Sequence, residues 1–512
     1  MSKLLIISEL RPSDRASTGR QASVRRPETR GSSLSAGQDR RTFLKRSLSA
    51  VAGAAVLPHL VPSSALGADG ATPPSKRVTI GLIGIGAMGG GHLRRLAYDP
   101  AFHVLAVCEV DKVRRDKART AVEDIYAANA PSGSYKGCAA VNDYREILAR
   151  PDIDAVVIVT PDHWHAIQSI EAAKAGKDIY CEKPVSCTMR EGRRIVEAVQ
   201  RYGRVFQTGT QYRSIPAIRR VCQFIRDGGL GKIKAVYTPL HTISMFMGAD
   251  RIKPYAGVLN MEVCGKSYAP LEFALPSEPV PEGLDWELWV GPAPWRPYNR
   301  LYHVNPSPGV VPWSFDEAFG VTSSTWFLSH AADVIQWALG CETSGPVEII
   351  HPSSGEFPTL TCRYANGVPM HFVRDWAEVK NTYHAVPENA RLAGLFGGLF
   401  VGERGWVTTM SGSGRIEGEP ESLFEEMKLV RTPEVNIGGN THHKNWLECI
   451  HSRQSPSANE EIGHRSAALG HLVNITTLLG RSLKWDPVRE QFVNDDMANR
   501  MLSRAPRAPW RL

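Results

Sequence analysis

The stretch Val78-Thr79-Ile80-Gly81-Leu82-Ile83-Gly84-Ile85-Gly86-Ala87-Met88-Gly89 decides how the chain is read. Its first six residues are mostly apolar without alternation, as in a strand buried on both faces of a parallel sheet. They run directly into Gly-x-Gly-x-x-Gly, and a helical pattern follows over residues 91–98. In such a unit Gly84 permits the tight turn, Gly86 lets the backbone approach a pyrophosphate, and Gly89 lets the helix pack on the strand, with the helix N-terminus facing the phosphates. Three glycines alone more often mark a plain loop. Here the preceding strand and following helix make Gly84, Gly86, Ala87, Met88 and Gly89 a candidate dinucleotide cradle.

A second apolar run, Val104-Leu105-Ala106-Val107-Cys108, ends at Glu109, 20 residues beyond Gly89. An acid at that spacing accepts hydrogen bonds from the adenosine ribose hydroxyls and favours NAD. Arg114 and Arg115 follow closely enough to pair with a 2′-phosphate, which leaves NADP open. Strand and helix patterns continue to alternate over residues 155–159, 165–175, 178–181, 191–202 and 205–208, which predicts a doubly wound parallel sheet. Ligands on such sheets bind at the C-terminal strand ends. The loops there read Thr160-Pro161-Asp162-His163-Trp164-His165, Glu182-Lys183-Pro184 and Gly209-Thr210-Gln211-Tyr212-Arg213.

The 512 residues carry a formal net charge of +8, which would ordinarily suggest a nucleic-acid or anionic-surface partner. Its distribution removes that reading. Residues 1–46 hold 11 Lys and Arg against four acids, whereas residues 76–512 are nearly balanced, at a net +2. The basic arm leads through Asp39-Arg40-Arg41-Thr42-Phe43-Leu44-Lys45 into a small, weakly apolar stretch over residues 47–61, followed by Ala65 and Gly67. That order is the architecture of an export signal, and the paired arginines resemble a twin-arginine signal, whose machinery exports folded proteins. The expectation is a periplasmic protein cleaved near Gly67. The apolar run is under the roughly 20 residues that a bilayer requires, so no membrane span is expected after cleavage. The 39 residues ahead of Arg40 are long for such a signal and place the expected translation start downstream of Met1. Nine scattered cysteines show no zinc-type spacing, and most of them are expected as buried small apolar residues.

Together, the glycine loop and the three strand-end loops resemble the glucose-fructose oxidoreductase and inositol dehydrogenase (Gfo/Idh/MocA) family, with Glu182-Lys183-Pro184 as the most specific mark. Downstream, Leu284-Asp285-Trp286-Glu287-Leu288-Trp289-Val290-Gly291-Pro292, Phe400-Val401-Gly402-Glu403-Arg404-Gly405-Trp406 and Asn445-Trp446-Leu447-Glu448-Cys449-Ile450 are similar to segments of its exported bacterial branch. The resemblance implies Lys183 beside the nicotinamide and substrate hydroxyl, and His330 of His330-Ala331-Ala332-Asp333 as acid/base. Asp333, one turn on, is expected to contact substrate hydroxyls or orient His330. Thr160, Pro161, His165, Glu182, Lys183 and Gln211 are expected to help hold the cofactor. Members of the family commonly carry an Asp four residues before the His. This chain has Trp326 there, or Thr325 if the loop is one residue longer, and neither can ionise, which opens altered substrate, altered chemistry or reduced catalysis.

The expected architecture is α/β: an export signal and linker over residues 1–75, a Rossmann domain over 76–212, and an α+β substrate domain with a largely antiparallel open-faced sheet over 213–485. Residues 486–512 form a C-terminal tail. No metal site is expected. His163 and His165 are read as packing against the cofactor, and His442-His443 as a cleft or surface feature. Trp286, Trp289 and Trp295 could stack on a sugar, although packing is the commoner role for such residues. The functional expectation is an oxidoreductase acting on a sugar, polyol or glycoside with a retained nicotinamide, in a homo-oligomer. The alternatives are an NAD-dependent glycosidase running an oxidation, elimination and reduction cycle, and a sugar-binding protein with reduced catalysis.

Overall fold

The structure is a computed structural model; it describes residues 76–128, 137–240, 250, 271–273, 275–305, 312–321, 325–411, 414–431 and 441–512. The export-signal segment and Cys264 lie outside the described residues.

The chain enters through β1 (Val78–Ile83), α1 (Ala87–Tyr98), β2 (Phe102–Cys108), α2 (Lys112–Ala127), β3 (Ala139–Val141), α3 (Tyr144–Leu148), β4 (Ala155–Ile158), α4 (Asp162–Lys174), β5 (Asp178–Cys181), α5 (Met189–Tyr202) and β6 (Phe206–Thr208). The six strands lie in the order β3-β2-β1-β4-β5-β6, and every pairing is parallel. Strand order reverses between β1 and β4, which opens the ligand crevice of a doubly wound sheet at their C-terminal ends. Helices α1 and α4 begin four and three residues earlier than the apolar pattern predicted, because the loop residues themselves enter the first helical turn. Helix α5 is held by a capping box between Thr188 and Glu191 and stops at Gly203 in the left-handed region.

A second layer follows: α6 (Pro216–Arg226), β7 (Ile233–Pro239), α7 (Trp286–Val290), α8 (Arg300–His303), α9 (Leu328–Ala338), β8 (Pro346–Ile350), β9 (Thr361–Tyr364), β10 (Pro369–Val373), α10 (Trp376–Thr382), β11 (Leu399–Gly402), β12 (Trp406–Thr408), β13 (Gly418–Glu419), α11 (Ser422–Glu426), α12 (Thr441–Ser452), α13 (Glu460–Leu479), β14 (Leu483–Asp486), β15 (Gln491–Phe492) and α14 (Asp496–Arg500). Its nine strands run β13-β12-β11-β7-β10-β9-β8-β14-β15. Only the β7–β10 pair is parallel, so the sheet is largely antiparallel, as expected.

Helices α6, α9 and α13 pack on this sheet in one core with Val236, Met370 and Phe400. Helix α13 is apolar around most of its circumference, the pattern of a helix covered on all sides. It is capped by Asn459, whose side chain accepts from the Ile462 N–H at 3.0 Å. Late in the chain α12 returns to the first domain. Its Trp446 is fully buried and lies 5.8 Å from the rings of both Phe102 and Tyr180. Residues 486–512 are also built into the fold: β15 pairs with β14, and Trp510 meets Trp164 edge-on at 4.7 Å. The eight described cysteines are free thiols, six of them buried.

Candidate active site at the seam of the two sheets

The glycine loop fits a dinucleotide. Gly84 has φ +87°, and a Cβ there would fall within 2.8 Å of the Val159 and Thr160 backbone. At Gly89 a Cβ would fall 2.1 Å from the Gly84 oxygen, whereas at Gly86 it would meet open space. Two glycines thus let the chain turn and pack, and the third leaves room beside the backbone. The first turn of α1 has no side-chain cap and no acid, so its unpaired N–H groups and positive dipole end suit an anion. Ala87 and Met88 are exposed there. The Glu109 carboxylate closes the other side, accepting from Ile85 N at 2.8 Å and Asp111 N at 3.1 Å. Burial raises its pKa, against the pull of these two N–H bonds. Arg115 is engaged by the Glu109 oxygen and by Asn142, and Arg114 by the His303 oxygen and Asp111. Both guanidiniums therefore have protein partners, an arrangement that favours NAD over a 2′-phosphate.

Three strand-end loops face this crevice, and side chains fix their relative positions. The His165 ring bridges two of them, with Nδ1 2.7 Å from the Pro184 oxygen and Nε2 2.8 Å from the Thr160 oxygen. His165 therefore holds the Thr160-Pro161 turn against the Lys183-Pro184 turn. Burial lowers its pKa, against the pull of the two carbonyls. His163, on the same turn, faces the second domain. Its nitrogens face the oxygens of Trp289 and Phe319 at 3.0 and 3.2 Å, and burial takes it down to about 3.

Glu182 anchors the next loop from below. Its Oε1 lies 3.0 Å from His92 Nε2 and accepts from Gln211 Nε2 at 2.9 Å, while Oε2 accepts from the Lys183 N–H at 3.1 Å. Burial pushes this carboxyl up, but His92 and then Lys183 outweigh it and hold it at about 2. Gln211 is thereby committed to Glu182 and to the Tyr180 hydroxyl. His92 also meets His443 at 3.1 Å, and His442 is bonded to Ser214 and the Thr208 oxygen, both at 2.7 Å. His442 and His443 are buried, which corrects their reading as a cleft or surface feature. Docking of Trp446 carries that face of α12 inward. His92 was missed in the sequence; its only local signal is its place three residues after Gly89. Among the described residues no three His, Cys, Asp or Glu side chains gather as a metal site requires.

Above this support, Lys183 leaves the end of β5 and crosses to the start of α9. Its Nζ donates to the Trp326 oxygen at 3.1 Å and lies 4.3 Å from the centre of the Trp326 ring. Burial lowers its pKa, while Glu182 and Asp162 support the charge. His330 is buried in the first turn of α9, with Tyr212 and Phe396 edge-on at 4.8 and 5.3 Å. Its Nδ1 has no hydrogen-bond partner among the described residues. Burial first, and then the charge of Lys183, holds His330 well below the usual histidine range, so it stands as a neutral base. Asp333 points elsewhere, bonded to Arg213 Nε at 2.9 and 3.0 Å and to Nη2 at 2.8 Å. Trp286 and Trp289 stack on each other at 4.6 Å inside a buried aromatic cluster, and Trp295 is exposed.

Lys183 thus bonds to the chain two residues ahead of α9, and its charge acts on the neutral His330 in the first turn of that helix. The same pairing of domains is found by comparison. Residues 78–210 match the model described as oxidoreductase family, NAD-binding Rossmann fold, and residues 266–385 and 425–512 match its C-terminal alpha/beta domain. The levoglucosan dehydrogenase of Pseudarthrobacter phenanthrenivorans is 35% identical over 31% of this chain and 39% of its own length. A glycosyl hydrolase family 109 protein of a Shewanella species is 34% identical over 25% of this chain and 27% of its own length. The chain thus spans less than half the length of these curated relatives. A levoglucosan dehydrogenase solved with NADH and levoglucosan shares the fold at a TM-score of 0.50 and 17% identity, covering 80% of this chain and 99% of that one. The chain belongs to the Gfo/Idh/MocA oxidoreductase family, and its first domain is that family's NAD-binding Rossmann domain.

Proposed function

We propose that this chain oxidises a sugar, polyol or glycoside at a secondary alcohol, with NAD as its cofactor. The observation that carries this reading is the meeting of Lys183 with the start of α9, where His330 stands neutral with an unpartnered Nδ1. The backbone of residues 84–89 would hold the pyrophosphate, Glu109 the ribose hydroxyls, and the Thr160-Pro161 and Lys183-Pro184 turns the nicotinamide end. NAD bound there supplies a hydride acceptor. His330 Nδ1 takes the proton of the substrate hydroxyl, and Lys183 donates a hydrogen bond to the same oxygen, stabilising negative charge as it develops.

The basic arm and the twin-arginine-like stretch favour export in the folded state, with NAD loaded beforehand and retained. A retained cofactor must be regenerated in place, which suits a redox-neutral cycle. The similarity to a glycosyl hydrolase family 109 protein favours a second reading, in which transient oxidation acidifies a neighbouring C–H and permits glycoside cleavage. Self-association through the open face of the nine-stranded sheet belongs to the same reading.

Protein purified from the export compartment is expected to release nicotinamide nucleotide on denaturation. Absence of any nucleotide would remove both enzymatic readings, leaving a sugar-binding role. Net NADH formation with a sugar selects the dehydrogenase, and glycoside cleavage without it selects the cycle.

A further inference from the structure

Trp326 stands where the family's pattern has an acid, and its contacts bridge Lys183 and Asp162. Its carbonyl accepts from Lys183 Nζ at 3.1 Å, and its ring centre lies 4.3 Å from the same nitrogen. Its side chain is hydrogen-bonded to Asp162 at the start of α4, whose pKa burial raises well above the usual carboxylate range; an indole has only a donor, so the N–H gives and a carboxyl oxygen accepts. Asp162 is 1% exposed, and its Oδ2 has no hydrogen-bond partner among the described residues. Phe327 adds a second ring, 5.4 Å from Lys183 Nζ. One aromatic side chain therefore holds the Asp162 carboxyl group at its edge and the Lys183 nitrogen over its face.

We propose that Trp326 is the positioning residue for Lys183: tied to Asp162 through its indole N–H, it presents its ring face to the ammonium and takes one of the three N–H bonds at its carbonyl, leaving two for a substrate oxygen. The negative face of an indole attracts a cation, most strongly out of water. The bridge thus holds Lys183 as a charged donor, complementary to the neutral His330. The inference rests on the functional reading only in giving Lys183 a substrate oxygen to meet; the arrangement of the three residues stands without it.

The charged and titratable groups facing Lys183 are Glu182 in its own loop, Asp162 and His165 on α4, and His330 on α9. Only the first two support its charge.

The test is the pH dependence of acetylation of Lys183 by acetic anhydride, read by mass spectrometry of its peptide in the full chain as purified. It needs no sugar and no turnover, so a failed sugar panel does not decide it. Trp326→Ala is expected to lower the midpoint of labelling by about one pH unit. Trp326→Phe, which keeps a ring but loses the N–H, and Asp162→Leu, which removes the acceptor of that N–H, are each expected to lower it by less. Should Trp326→Ala not fold, those two variants decide the matter. Unchanged or raised midpoints overturn the proposal. So does a rate increase by the same factor at every pH, which would mean that Trp326 merely covers Lys183.

Discussion

Glu182 Oε1 and His92 Nε2 lie 3.0 Å apart, both buried, and join the loop that carries Lys183 to the first helix after the glycine turn. The Glu182 carboxyl is held at about 2 against an ordinary 4.5. A depressed acid adds stability that is complete above pH 4.5 and is lost as pH falls toward 2. Glu182→Gln should therefore be less stable than the wild type at neutral pH by about 3 kcal/mol, and the gap should close in acid. Urea unfolding between pH 6 and pH 3 measures it; a gap constant over that range would refute the pairing.

His330 is neutral well below pH 6.5 because of burial and the charge of Lys183. A base in that state stays ready as pH falls, so turnover should persist through pH 6.5, with the acid limb displaced below it. His330→Ala should cut kcat by about a hundredfold or more, with NADH affinity, followed by fluorescence, unchanged. An acid limb at the usual histidine position would contradict this assignment.

Asp333 is paired to Arg213 across 120 positions of sequence, with both side chains buried. Removing one member of a buried pair leaves the other charge unmatched and costs about 3–5 kcal/mol. Asp333→Ala should lower the thermal midpoint markedly, and a second change, Arg213→Met, should recover part of the loss. A stably folded Asp333→Asn protein without activity would show instead that the carboxylate serves the substrate.

Trp446 fills the junction between α12 and the cofactor domain, fully buried, yet its Nε1 has no hydrogen-bond partner among the described residues. Trp446→Ala should cost about 3–5 kcal/mol. Trp446→Phe should cost clearly less, because it keeps most of the ring volume and removes an unpaired donor. Equal losses in chemical denaturation would argue against this packing.

The parallel sheet was legible because β1, β2, β4 and β5 are short apolar runs punctuated by glycine and strand-end loops, a signal contained in each segment. Lys183 and His330 were singled out by their motifs, and the structure puts Lys183 against the residues just ahead of the helix that carries His330. The supports of the site were not, because they join residues far apart in sequence: His92 to Glu182, Arg213 to Asp333, Lys183 to Trp326. No local pattern encodes such pairs. The polar run at the start of α12 read as surface because the burial of His442 and His443 follows from where Trp446 docks. Trp326 was visible in sequence only as a missing acid, and its contacts with Asp162 and Lys183 required the fold.

The most direct measurement of the central claim is the absorbance of the bound nicotinamide when the purified full chain meets a panel of sugars, polyols and glycosides, with Lys183→Met and His330→Ala beside it. At least one compound is expected to reduce the nucleotide in the wild type, lastingly for a dehydrogenase or transiently for a redox-neutral cycle, and neither variant should respond. Nucleotide bound but unchanged by every compound, or reduced equally well in both variants, would contradict the account.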